Sequence, residues 1–151
     1  MIPILERPSV GCSCDKCKAM CLRPCWPTPT EAMKLMDEGF GDKLMLDYWV
    51  AEDNIYLLCP AIKGCEGKDA PVFPKGECTF LNAQGLCDLH DKKLKPIEGR
   101  LANCKDPTGG QLHKAVADLW NTAEGRAAID RWKGNIAPKT PRRMYCVGAI
   151  V

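Results

Sequence analysis

The sequence predicts a small α+β domain, loop-rich and stapled by metal, with short β-hairpins and a C-terminal helical hairpin. Three observations carry this. Eleven cysteines stand in 151 residues, five of them between Cys12 and Cys25. Two runs rich in strand-forming residues flank a polar turn, the pattern of a hairpin. Further along, apolar residues recur at helical spacing in two adjacent blocks.

The first helix is expected to follow the cysteine cluster. Thr28, Pro29, Thr30 and Glu31 form a capping box with Pro at the first helical position. Ala32, Leu35 and Met36 supply a short apolar face, and Gly39 is the expected stop. Residues 44–50 and 55–59 read as two strands around the turn at 51–54. Residues 60–77 carry Pro60, Gly64, Gly67, Pro71, Pro74 and Gly76. They read as an ordered loop, and a metal is one means of pinning a loop of this length. Residues 78–81 and 86–90 read as a second hairpin around Asn82 to Gly85. Leu112, Ala115, Val116, Leu119 and Trp120 mark one helix. Ala128, Ile129 and Trp132 mark the next, from about residue 123 to Lys133, with Gly134 as its end. The expected division is one metal-binding domain over residues 1–134 and a basic, apolar-ended tail over 135–151.

Charge narrows the function classes. Lys and Arg total 21 against 19 Asp and Glu, which argues against a nucleic-acid clamp held by electrostatics. No apolar run approaches the roughly 20 residues of a membrane-spanning helix. Pro3, Glu6, Arg7 and Pro8 interrupt the N-terminus, so it does not read as a secretory signal. The expected setting is the cytoplasm, or a particle assembled there. Stable disulfides are uncommon in that compartment, which turns attention to metal.

The cluster places Cys12, Cys14, Cys17, Cys21 and Cys25 at short intervals, with Lys16, Lys18 and Arg23 among them to favour thiolates. Two thiolates three positions apart, as at Cys14 and Cys17, can grip one ion from a tight turn. The spacing matches neither the bacterial ferredoxin run nor the radical S-adenosylmethionine motif. Cys78, Cys87 and Cys104 extend the set. The candidate ligands are therefore Cys14, Cys17, Cys21, Cys25, Cys78, Cys87 and Cys104. Zinc is the preferred ion and an iron–sulfur cluster the alternative, since all-Cys sites serve both.

These residues resemble the CxxCxxCC cysteine-cluster family of zinc- or iron-chelating domain proteins. The resemblance covers roughly residues 12–104. It rests on the thiols Cys14 to Cys25 before the Pro-Thr-Pro-Thr-Glu helix start; on Cys78, Phe80 and Leu81 with Gly85, Cys87 and His90; and on Lys95, Pro96, Arg100 and Cys104. The chain departs from the family pattern in lacking an adjacent Cys-Cys pair and in its longer Pro96-to-Cys104 gap. The resemblance implies cytoplasmic metal binding and implies no reaction.

Other residues admit two readings. His90 is read as a packed or supporting residue rather than a ligand, because strand alternation puts it opposite Cys87. His113 lies off the apolar face of its helix and is read as solvated. Cys59 and Cys65 are open between metal ligation, a disulfide and loop packing. Glu98 and Arg100 are open between a brace for the thiolates and an exposed charged turn. Roles for Cys12 and Cys146 are not assigned.

No Walker, Gly-x-Ser-x-Gly or His-Glu-x-x-His pattern is present, so no catalytic constellation is expected. Five basic residues and no acidic one lie between Arg131 and Arg143. They are read as a solvated tail in preference to a nucleic-acid contact, and the apolar end beyond them as an edge strand or a docking segment for a protein partner. The rival to metal binding is an assembly component stapled by metal or by disulfides, a reading motivated by the odd cysteine count and Cys146.

Overall fold

The computed structural model describes residues 24–49, 55–70, 76–89, 92–98 and 111–136. Its elements run α1 (Pro29–Asp37), a 3-10 turn (Gly41–Lys43), β1 (Leu44–Trp49), β2 (Ile55–Pro60), α2 (Gln111–Trp120) and α3 (Ala123–Ile136). The class is α+β, a two-stranded antiparallel hairpin with three helices.

Helix α1 forms where the capping box places it. The Thr28 hydroxyl accepts from the Glu31 N–H at 3.1 Å, and the Glu31 carboxylate accepts from the Thr28 N–H at 2.9 Å. Its end is a Schellman motif: Gly39 N–H donates to Met36 O and Phe40 N–H to Leu35 O. Gly39 sits at φ 89°, the left-handed conformation this closure requires.

The strands pair from Leu44 opposite Pro60 to Trp49 opposite Ile55. Four successive β1 residues, Leu44 to Asp47, are buried. Continuous burial means that both faces of the hairpin are covered, unlike a half-exposed sheet. All three helices contact β2, and α3 also packs on α1 and α2. Trp120 and Trp132 are both sealed in the core. Each indole N–H finds a backbone carbonyl: Trp120 donates to Pro27 O at 2.8 Å, and Trp132 to Gly41 O at 3.1 Å. The helical hairpin thus grips both ends of α1.

The other side of β1 is covered by the loop after β2. Leu46 N–H donates to Lys68 O and Ala70 N–H to Leu46 O, a parallel bridge between Leu46 and Asp69. Gly67 N–H donates to Leu44 O. Backbone bonds to β1 therefore hold the described part of this loop; the sequence suggested metal for that task.

Two expectations are corrected. The second hairpin is not a pair of strands. Cys78 bridges to Ile62, and the arm ahead of it makes only the Leu81–Cys87 bridge. The Asn82 side chain takes up the Gln84 and Leu86 N–H groups and donates to Asp88, so the segment closes as a tight turn. Helix α3 also passes through Gly134 to Ile136, because Gly134 keeps a negative φ and makes no left-handed cap. The turn at 51–54, His90, Arg100, and Cys12, Cys14, Cys17, Cys21, Cys104 and Cys146 lie outside the described residues, as does the tail beyond residue 136.

Candidate metal centre

The segment that leads from the cysteine cluster into α1 is strapped to the body of the protein at Trp26. Its backbone N–H donates to Glu98 Oε1 at 2.9 Å, and its indole N–H to Asp47 Oδ2 at 3.0 Å. The indole is buried, stacks on the His113 imidazole with ring centres 3.4 Å apart, and meets Trp49 edge-on at 5.7 Å. Glu98 reaches the other way with Oε2, to His113 Nδ1 at 2.5 Å. Glu31 joins in by accepting from the Ile97 N–H. Cys25, half-buried, is the residue just before this anchor.

The sequence read His113 as solvated and left Glu98 open to being an exposed turn. The reading of His113 fails, and the exposed-turn alternative for Glu98 is excluded, for one reason. Tertiary packing brings residues 97–98 and the start of α2 against Trp26, so Glu98 is buried and His113 is sandwiched. Glu98 is a brace, and what it braces directly is the backbone beside Cys25.

Asp47 is the second buried acid, 4% exposed on a strand of apolar neighbours. Burial raises its pKa above the ordinary carboxylate value; the bonds from Trp26 and from the Tyr48 N–H pull it back. The fully buried Cys59 thiol is pushed well above its usual pKa. Burial is the main cause, and the negative charges of Asp47, Cys78, Cys25 and Glu98 add to it. Three cysteines from distant segments therefore share one electrostatic neighbourhood. Cys25 comes from the end of the N-terminal cluster, Cys59 from β2, and Cys78 from the turn beyond the loop.

At Cys78 the backbone prepares the sulfur for negative charge. The Phe80 N–H donates to Cys78 Sγ at 3.5 Å, a bond that favours thiolate over thiol. Cys87 is half-buried against the core. Cys25, Cys59, Cys78 and Cys87 are all reduced. Cys65 is buried and disulfide-bonded, and these four reduced thiols are not its partners. Among the described residues no three His, Cys, Asp or Glu side chains converge closely enough to hold an ion by themselves.

Sequence reasoning singled out Cys25 and Cys78 as ligands. It left Cys59 undecided and did not single out Asp47 or Trp26. A lone Asp within an apolar strand run was the available signal, since an unpaired buried acid is rare. Compared with protein-family models, curated proteins and solved structures, the chain matches none.

Proposed function

We propose that this chain is a metal-binding cysteine-cluster protein, with zinc the preferred ion and an iron–sulfur cluster the alternative. Thiols of the N-terminal cluster and those near Cys78 contribute to a common site. The observation that carries this reading is that Cys25, Cys59 and Cys78, from three distant segments, share one electrostatic neighbourhood with the acids Asp47 and Glu98. A divalent cation there would offset the buried acids and favour metal-bound thiolates. The resemblance to the CxxCxxCC family supports the same reading. Cys14, Cys17, Cys21, Cys87 and Cys104 are the further candidate ligands. The proposal assigns no reaction, and its expected setting is the cytoplasm.

Elemental analysis of protein purified without oxygen tests it. Stoichiometric zinc in a colourless protein supports the preferred form, and iron with visible absorption supports the alternative. Protein free of both metals refutes the proposal.

A second reading rests on Cys65. Its disulfide staples this chain to itself; in this reading the chain is an assembly component, and the other cysteines and the C-terminal tail serve its partners. Thiol-sensitive multimers on a non-reducing gel would support that reading, and a monomer with and without reductant counts against it. No described helix is long and apolar enough to cross a membrane.

A further inference from the structure

We draw no further inference here: the strongest candidate, the side-chain cluster of Asp47, Glu98 and His113 gathered on Trp26 where the N-terminal segment meets β1 and α2, belongs to the site already described, and nothing in the structure shows what it would bind.

Discussion

Replacing Trp26 by Phe isolates one bond at the centre of the site. Phe retains a ring to stack on His113 but loses the N–H that donates to Asp47 Oδ2 at 3.0 Å. Asp47 is 4% exposed, so water cannot readily replace the lost donor, and the Tyr48 N–H is left as its partner at 2.8 Å. A hydrogen bond to a charged group contributes about 1.5–3 kcal/mol. The smaller ring gives up roughly 1 kcal/mol of apolar burial. The expected cost at neutral pH is about 2–4 kcal/mol. At this chain length each kcal/mol moves the melting temperature by about 2–4 °C, so a loss on the order of 10 °C is expected. The cost should shrink in acid. Because burial raises the folded-state pKa of Asp47, the stability gained from its protonation is fully present below the unfolded value and is lost as pH rises through the folded one. Removing the Trp26 donor pushes that folded value further up. The variant should therefore lose more than the wild type as pH rises from below the ordinary carboxylate value through the raised folded-state one. Urea melts at several pH values, with Asp47→Asn to complete a double-mutant cycle, measure this. A cost below about 1 kcal/mol, or one independent of pH over that range, would refute the reasoning.

Three further outcomes follow from the packing and the thiols. Gly125→Ala should destabilise by about 1–3 kcal/mol or more, because a Cβ there would lie 2.2 Å from the Trp120 carbonyl oxygen; thermal melts check it, and a neutral result would mean the α2–α3 turn yields freely. Trp120→Ala should cost about 3–5 kcal/mol from burial and leave metal content unchanged, since the indole binds only the Pro27 carbonyl; loss of metal in folded protein would contradict that separation. Cys78→Ser should lower metal content, as it removes the sulfur that the Phe80 N–H bonds; undiminished zinc would remove Cys78 from the ligand set.

Local rules carried much of the fold. The Thr28–Glu31 capping box, the Gly39 stop and the periodicity around Trp120 and Trp132 are short-range signals, and each has its counterpart in the structure. Signals at the same range misled at residues 78–89. There the strand-like composition was overruled by the Asn82 side chain and by pairing of Cys78 with Ile62. The site was less legible still. Cys25 was visible in the spacing of the cluster, but Asp47, Glu98 and His113, which gather on the adjacent Trp26, come from segments 21, 72 and 87 positions beyond that tryptophan. No local pattern reports that Trp26 meets all three. His113 in particular looked solvated because its helix was read by its own apolar face, whereas a second surface of that helix is covered by the N-terminal segment.

The central claim is that the N-terminal thiols and those around Cys59 and Cys78 serve one metal. Metal stoichiometry measured side by side on wild type, Cys14→Ser and Cys78→Ser, each purified without oxygen and confirmed folded, tests it most directly. The account predicts bound metal in the wild type and loss of the same metal in both variants. Metal retained in full by either folded variant, or absent from the wild type, would contradict it.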